Sequence, residues 1–363
     1  MDFGFTEVQQ DLRELARKIL TDEVTPDRLK TLEAGPDRMD RRVWKAFADA
    51  NLLGVALPED AGGSGFGLIE LCVLLEEVGR SVAPVPLLAT IASGALPIAR
   101  FGTADQRMLL GPVVRGESIL TAALQEAGSH DPMRPETTAT PNGEGWELNG
   151  EKIAVPWAPL ASRVLVLART DDDIGIFLVD PRATGVSLLA AEATDRTPQA
   201  TVVLSRATAS RLGGADAARW TVDVALAGLC ATAVGVFDQA VRITAGYLSQ
   251  RQQFGRPLAT FQGAAIRAAD AYIDTQAISV AAWAAIWRLA SEMDAADALA
   301  VAKFWVADGG QRVAHACQHL HGGMGVDIDY PIHRYFLWAK ELELTLGGAT
   351  DHLLRLGESL ACT

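Results

Sequence analysis

The second half of the chain contains three long, alanine-rich apolar segments separated by short breaks, at residues 220–250, 265–290 and 296–320. Each is longer than the average protein helix of about 12 residues. Helices with this much apolar surface are stable in water only when they bury it, and three successive ones do so most simply against each other. The sequence therefore predicts a C-terminal helix bundle over residues 214–363.

The first third of the chain also has helical spacing of apolar residues. Residues 6–20 and 68–78 repeat apolar side chains at intervals of three and four, and glycine- or proline-rich breaks occur at 62–65 and 83–86. These features predict an N-terminal helical domain over residues 1–118.

The middle of the chain has the pattern of β-structure. The stretch GWELNGEKIAV, residues 145–155, is interpreted as two strands joined by a turn at Asn149-Gly150. Apolar or β-branched runs of strand length follow at 163–170 and 174–180. We therefore expect a middle β domain over residues 119–213, which makes the predicted fold class α+β.

Charge and cysteine content narrow the class of function. A net charge of −13 argues against generic nucleic-acid binding and against adhesion to anionic membranes. No run reaches the ~18 uninterrupted apolar residues of a membrane span, and the N-terminus lacks the apolar core of a signal peptide. The cysteines have no C-x-x-C spacing, so they are expected to be reduced thiols: Cys72, Cys230, Cys317 and Cys362. We expect a cytoplasmic protein.

The first candidate site is RQQFGRPLATFQ, Arg251–Gln262, between two of the long helices. Arg251 carries a fork-shaped cation suited to phosphate, Phe254 a flat apolar face, and Gln262 an amide at the start of the next helix. These groups match the pyrophosphate and adenosine of a dinucleotide. An interhelical loop with a surface arginine remains the alternative.

The second candidate site is QHLHGGMGVDIDYPIHRYF, residues 318–336, whose glycines would let the backbone approach a ligand closely. His319 and His321 resemble a metal pair. However, a spacing of two residues puts them on different sides of a helix, and no acidic or cysteine partner has ligand spacing. We predict no metal site.

These stretches, taken together, are similar to the flavin-dependent acyl-CoA dehydrogenase family. That family has a helical domain, a β-barrel-like domain and a four-helix bundle, with an R-x-x-F-G motif followed by a glutamine and later a glutamine with Gly-Gly-x-Gly. Further matching stretches run along the whole chain in order: LPEDAGGSGFG (57–67), ALQEAGS (123–129), WELNGEKI (146–153) and DYPIHRYF (329–336).

The resemblance implies a reaction and a cofactor. Such enzymes remove two hydrogens from the α and β carbons of an acyl-CoA thioester: a glutamate takes the α proton, and FAD accepts the β hydride. One subunit's β domain holds the flavin ring, and a neighbouring subunit holds the ADP end. By this resemblance the cofactor-binding residues would be Arg251, Gln253, Phe254, Gln262, Gln318, His319, Gly322 and Gly323.

The chain departs from the family at the catalytic base. In one branch the glutamate lies in a turn after the last long helix, where this chain has Gly347. In a second branch it lies early in the first bundle helix, where this chain has Ala225. The nearest acids are Asp351 and Asp223. A two-residue offset turns a helical side chain by ~200°, so Asp223 is expected to point elsewhere, and Asp351 is left as the substitute base of an alternative hypothesis.

The flavin-ring positions depart from the family as well. Gln125 replaces a threonine of the family, and the strand that usually offers an aromatic residue and a threonine has Ala154 and Pro156 instead. Proline has neither an N–H nor a hydroxyl to offer a flavin edge. A later Arg-Asp-Ala triplet is replaced by Leu-Trp-Ala at 337–339.

A heteromeric enzyme would explain why the ring and base positions are lost while the ADP-binding loops are retained. The family includes α2β2 heterotetramers of actinobacterial steroid side-chain breakdown, whose non-catalytic subunits resemble this chain in LTLGGAT (344–350) and in the 319–335 region. The expected partners are a glutamate-bearing sister subunit, an acyl-CoA substrate with a bulky acyl group, and an electron-transfer acceptor. Two alternatives remain: a self-sufficient enzyme that uses Asp351, and a flavin-free scaffold.

Overall fold

The computed structural model describes residues 4–129, 131–143 and 145–361; Cys362, one of the predicted reduced thiols, lies outside them. The α-helices are α1 (Glu7–Glu23), α2 (Pro26–Glu33), α3 (Arg41–Asp49), α4 (Leu68–Ser81), α5 (Leu96–Phe101), α6 (Ala104–Arg107), α7 (Leu110–Val114), α8 (Ala215–Gln250), α9 (Gln262–Ala290), α10 (Ala296–Phe304), α11 (Gly310–Leu320), α12 (Ile332–Leu344) and α13 (Ala349–Ala361). π-Helical turns occur at Leu88–Ala95 and Trp305–Gly309, and a 3₁₀ turn at Gly322–Val326.

The strands are β1 (Leu120–Ala123), β2 (Thr138–Asn142), β3 (Gly145–Pro156), β4 (Arg163–Arg169), β5 (Ile174–Val179), β6 (Val186–Glu192), β7 (Pro198–Gly213), β8 (Gln252–Gln253) and β9 (Arg256–Pro257). Successive pairings β4–β2–β3–β7–β5 return to β4, because β4 also pairs with β5. This closed ring confirms the predicted barrel-like β domain. Strands β1 and β6 attach to the ring at β4 and β7, and β8 with β9 forms a separate hairpin.

The predicted turn at Asn149-Gly150 is wrong. Strand β3 continues through these residues without a turn. The β2–β3 hairpin instead has its turn between Asn142 and Gly145, which lie opposite each other. A register shift between Leu148 and Gly150 marks a bulge, and Gly150 has φ +148°, a conformation that side chains disfavour. The Asn-Gly pair here permits a bulge rather than a turn, and an earlier Asn-Gly pair, at 142–143, lies at the strand end.

The described residues group into two compact units. One comprises the described parts of Met1–Thr31, Cys72–Ala83 and Leu229–Thr363; the other comprises Leu32–Leu71 and Pro84–Gly228. The second unit contains the closed β ring. The first contains most of the helix bundle, including both stretches predicted to bind the cofactor.

Helix α8 is the longest element, and its composition alone would allow it to cross a membrane. However, 89% of its most apolar 18-residue window is buried inside the protein, as in the core helix of a globular domain. Cys230, which lies on this helix, is buried, as are Cys72 and Cys317, and all three are free thiols. The apolar character of α8 is therefore used to form the protein core.

Within the first unit, α4 and α8 cross with their backbones in contact. A Cβ atom on Gly235 would lie 1.8 Å from the carbonyl oxygen of Glu76, and one on Gly79 would lie 2.0 Å from the carbonyl oxygen of Thr232. No side chain fits at either position. Beside the crossing, Arg80 of α4 forms ion pairs with Glu76 and with Asp238 of α8.

We expect Gly235→Ala to lower the free energy of unfolding by about 3 kcal/mol or more, because the added methyl group forces the two helices apart. Thermal or chemical denaturation measures the change. Gly246→Ala on the same helix is the matched control: nothing lies within 4 Å of its Cβ position, so alanine should stabilise the helix by up to about 1 kcal/mol. Equal stability of the two variants would contradict the close crossing.

Candidate functional site

The Arg251 stretch forms a tight hairpin at the end of α8. Gln252 pairs with Pro257 and Gln253 with Arg256. The two turn residues, Phe254 and Gly255, both have positive φ, 52° and 76°, as a two-residue hairpin turn with mirror-image geometry requires.

Phe254 at the tip of this hairpin is 93% exposed. A bulky residue with positive φ is strained, and an exposed aromatic ring gains nothing from burial within the chain. Phe254 is therefore held in a costly conformation that presents its ring outward. This is the arrangement expected of a residue that contacts a ligand or another subunit.

The remaining polar groups of the stretch are also presented outward. Arg251 is exposed and its backbone is fixed: its N–H donates to Tyr247 O at 2.8 Å and its carbonyl accepts from Leu258 N at 2.8 Å. Gln262 is exposed at the first position of α9, as predicted. Arg256 lies over the ring of Phe261 at 4.1 Å. The loop is thus rigid at its base and offers a guanidinium, an aromatic ring and an amide to an external group.

The Gly-Gly stretch follows α11. Gly322 and Gly323 are exposed with nothing within 4 Å of either Cβ position, and Gly322 has φ +57°. Gly325 differs, because a Cβ there would lie 2.5 Å from Gln318 O. The first two glycines leave open backbone for a ligand, whereas Gly325 is needed for the chain's own packing.

The side chains just before Gly322 point in different directions. His319 is exposed, whereas His321 is 2% exposed, which confirms that the two histidines are on different sides of the helix. The side-chain oxygen of Gln318 is buried without a hydrogen-bond partner among the described residues. Over residues 4–129, 131–143 and 145–361, no group of three or more His, Cys, Asp or Glu side chains has the arrangement of a metal site.

An aromatic cluster joins the two stretches. Tyr247, one helical turn before Arg251, stacks on His321 with ring centres 4.5 Å apart, and Tyr330 packs against His321 at 5.2 Å. His321 Nδ1 lies 2.8 Å from Cys317 O and therefore carries the proton; burial lowers the pKa of His321, which favours the neutral ring. The structure thus brings the Arg251 hairpin and the Gly-Gly turn to one end of the bundle.

Sequence reasoning missed this cluster. Its only signal was a tyrosine close to the end of an otherwise alanine-rich helix, and nothing in the sequence pairs Tyr247 with a histidine more than 70 residues away.

The turn between α12 and α13 disfavours any side chain at position 347. Gly347 is buried and has φ +98°. A Cβ there would lie 3.2 Å from His352 Nε2 and 3.3 Å from Asp351 Cβ. The conformation of the turn therefore favours glycine at this position.

The chain's own side chains use the polar groups of this turn. Lys303, fully buried, donates from Nζ to Glu343 O at 2.9 Å and to Gly347 O at 2.7 Å, and burial lowers its pKa to about 8. His352 Nε2 donates to Leu346 O at 2.9 Å. Sequence reasoning did not identify Lys303, which lies on a different helix.

Asp351 serves as a helix cap. Its Oδ2 accepts a hydrogen bond from Gly348 N at 2.7 Å, at the start of α13. A carboxylate in the first turn that accepts from the cap residue's N–H stabilises the helix N-terminus. This assignment gives Asp351 a structural role in the place where the alternative hypothesis needs a base.

The other two candidate base positions are on α8. Ala225 is buried on α8 and ends in a methyl group. Asp223, two residues earlier, is half-buried on a different side of the helix.

The backbone of β3 is irregular near Ala154 and Pro156, the two positions that differ from the family's flavin-ring residues. Ala154 has φ +51° within a second register shift of β3, between Lys152 and Val155. The Pro156 carbonyl accepts from Thr121 Oγ1 at 2.6 Å, so this hydroxyl is used inside the domain. Gln125 O accepts from Ile153 N at 2.9 Å. At these two positions the strand carries a methyl group and a proline ring, and Pro156 has no N–H to donate.

His352 generates a pH prediction. Burial, with the nearby Lys303 ammonium, lowers the pKa of His352 to about 4 from 6.5. The unfolded chain takes up a proton below pH 6.5 and the folded chain does not, so stability is lost as the pH falls from 6.5 to about 4. The full loss is about 3 kcal/mol.

We expect His352→Gln to lose less stability than the wild type between pH 7 and pH 4.5, as measured by chemical denaturation at both values. Comparing the two proteins cancels the carboxyl groups that they share. An identical pH dependence in both would show that His352 is not held neutral.

The sequence matches three domain families along its length. They are the acyl-CoA dehydrogenase N-terminal domain over residues 6–117, the middle domain over 122–207, and the C-terminal domain over 213–360. Members of this family are FAD-dependent oxidoreductases that act on CH–CH bonds.

Full-length relatives agree with this. The chain is 38% identical to "Acyl-CoA dehydrogenase FadE27" of Mycobacterium tuberculosis, with 100% of each chain covered. Its structure is similar to a chain of the ChsE4–ChsE5 complex from Mycobacterium tuberculosis, with TM-score 0.96, 38% identity and 100% of each chain covered. It is also similar to a variant of the Tcur3481–Tcur3483 steroid ACAD, with TM-score 0.95, 48% identity and 98% of each chain covered. The chain therefore belongs to the acyl-CoA dehydrogenase family.

Proposed function

We propose that this chain is the non-catalytic subunit of a heterotetrameric, α2β2 acyl-CoA dehydrogenase. The observation that carries the proposal is Gly347, which has no side chain at one family position of the base, is buried, and has φ +98°, a conformation that side chains rarely adopt. A sister subunit of the same fold supplies the base and the flavin-ring site. This chain supplies the ADP end of the FAD site.

The residues of the ADP end fit such a role. Arg251 offers a fixed cation to a pyrophosphate, and Phe254 offers an exposed ring to an adenine. Gln253, Gln262 and His319 are exposed polar groups of the same two stretches. Gly322 and Gly323 leave open backbone beside them, and Gln318 has a buried oxygen that lacks a donor. FAD, when bound, accepts the hydride; these residues only bind and orient its ADP half.

The division of roles between the two subunits follows from the chemical groups that this chain lacks. Proton abstraction needs a carboxylate near the substrate's α carbon; here Gly347 occupies one family position of that carboxylate and Ala225 the other. Hydrogen bonds to a flavin edge need donors, and Pro156 has none. The sister subunit must therefore provide both functions for the assembly to be active.

The substrate is proposed from similarity. One solved neighbour is described as a steroid ACAD, and we extend that substrate class, a CoA thioester with a steroid side chain or another bulky acyl group, to the assembly that contains this chain. An electron-transfer protein reoxidises the flavin, and the assembly works in the cytoplasm.

The proposal is tested by purifying the chain alone and with its sister subunit. Alone, the chain should contain no FAD and show no turnover with acyl-CoA. Co-expressed, the two chains should purify in equal amounts, with one FAD for each sister subunit. Yellow, active protein from the chain alone would overturn the proposal.

The same preparation separates the proposal from a flavin-free scaffold. Arg251→Ala should weaken FAD binding by the complex ~10- to 100-fold, the effect of losing one charge-assisted hydrogen bond. Arg267→Ala, an exposed arginine on the following helix, is the control and should leave the FAD dissociation constant unchanged. If both variants bind FAD as the wild type does, the hairpin has only a structural role.

The self-sufficient alternative depends on Asp351. We expect Asp351→Asn to leave turnover of the complex unchanged and to lower stability by up to about 1 kcal/mol, because Oδ2 acts as a helix cap. Steady-state kinetics and denaturation of the same sample measure both effects. A loss of about 100-fold or more in turnover, with FAD still bound, is the result expected for removal of a general base and would favour the alternative.

A further inference from the structure

A cleft in the first compact unit lies among five helices, α1, α2, α4, α8 and α12. Its volume is about 470 Å³, within the ~300–1,000 Å³ that is usual for small-molecule sites. The described residues that line it include none of those predicted to bind the cofactor. The cleft is therefore a separate candidate site, and nothing in the proposed function uses it.

Part of the cleft wall is apolar. Leu20, Leu29 and Val82 line it and are buried, and Ile243 of α8 lines it and is half-buried. An apolar group that packs against these side chains leaves water, which favours binding. This part of the cleft suits the hydrocarbon body of a ligand.

One residue of this wall is held there at a conformational cost. Val82 follows α4 in a Schellman motif: its N–H donates to Gly79 O, and the N–H of Ala83 donates to Val78 O, both at 3.1 Å. Val82 has φ +45° in this motif, where glycine is the usual residue and a β-branched side chain is strained. Valine here therefore costs stability and keeps an apolar side chain in the cleft wall.

The charged groups of the cleft are mostly positive. Arg17, Arg80 and Arg334 line it, and Glu77 is the one carboxylate among its described lining residues. Arg17 donates to Glu77 from Nε at 2.9 Å and from Nη2 at 2.7 Å, and Arg80 donates to the same carboxylate at 3.4 Å. The single carboxylate is thus already shared between two guanidinium groups.

The adjoining ion-pair network has the same imbalance. It joins four arginines to three carboxylates: Arg13, Arg17, Arg80 and Arg242 with Glu76, Glu77 and Asp238. The Nε–H of Arg13 is buried without a hydrogen-bond partner in the described part of the chain, and it lies 3.8 Å from Glu77 Oε1. A surplus guanidinium in a chain with a net charge of −13 is a place for one further anionic acceptor.

We propose that this cleft binds a small apolar monocarboxylate. The carboxylate pairs with Arg17, and the hydrocarbon body packs against Val82 and Ile243. The surplus of one positive charge in the network matches one carboxylate, and a guanidinium binds a carboxylate through two parallel hydrogen bonds. Since a CoA thioester has no carboxylate at this end of its acyl group, the cleft selects the free acid over the thioester.

Equilibrium dialysis of the full chain with decanoate tests the proposal. Binding should saturate at one decanoate for each chain. Decanol has the same hydrocarbon body without the charge and should bind ~10-fold or more weakly, the effect of losing a charge-assisted hydrogen bond. Inorganic phosphate lacks the hydrocarbon body and should not displace decanoate. Absence of saturable binding, equal affinity for decanol, or displacement by phosphate would each overturn the proposal.

Two variants locate the binding in the cleft. Arg17→Met should weaken decanoate binding ~10- to 100-fold, whereas Lys18→Met, the adjacent and strongly exposed residue of α1, should leave it unchanged. Val82→Gly should weaken binding ~10-fold, because it removes part of the apolar wall, and the relieved φ strain offsets its effect on stability.

Thermal denaturation of each variant shows separately that the chain is folded. If folded Arg17→Met and folded Val82→Gly both bind decanoate as the wild type does, the acid binds elsewhere and the proposal is wrong. This inference does not rest on the proposed function, on which the FAD content of the complex reports independently.

Discussion

The backbone crossing of α4 and α8 is the constraint on which the first compact unit depends. Gly79 and Gly235 remove every side-chain atom from the contact, so the two helices have one relative register at this point. The ion pair of Arg80 with Asp238 holds the same crossing from the side. Because α8 continues as one helix from the crossing to Gln250, the crossing also helps to set where Tyr247 and the hairpin after it lie.

The predicted cofactor-binding stretches and the predicted base position differ in whether their polar groups are exposed or bonded within the chain. At the hairpin and the Gly-Gly turn, cation, ring and amide are exposed and the backbone is open. At the α12–α13 turn, by contrast, Lys303, Asp351 and His352 bond to the chain's own backbone. The hairpin and the Gly-Gly turn present their polar groups outward, whereas the α12–α13 turn uses its polar groups within the chain. A subunit that contributes to a shared cofactor site without performing the chemistry would have this distribution.

Much of the fold followed from local sequence patterns, and the failures have physical causes. Helical spacing and β-branched runs located the elements, and glycine with proline located the breaks. The prediction of a turn at Asn149-Gly150 was wrong because this dipeptide indicates only that the backbone adopts a conformation that glycine permits. A β-bulge uses that conformation as readily as a turn does. The Tyr247–His321 stack and the Lys303 anchor depend on contacts between distant segments, which no local pattern encodes. The candidate residues themselves came from family resemblance; local chemistry alone left an ordinary loop as an equal alternative.

The conformation of Gly347 has a consequence for how this lineage can evolve. Replacement of Gly347 by glutamate would place a side chain where φ is +98° and where His352 and Asp351 lie 3.2 and 3.3 Å from the Cβ position. A glutamate at this position would therefore need compensating changes in the turn. If the proposed function holds, a base supplied by the sister subunit would be easier to keep than a new one at this turn would be to acquire.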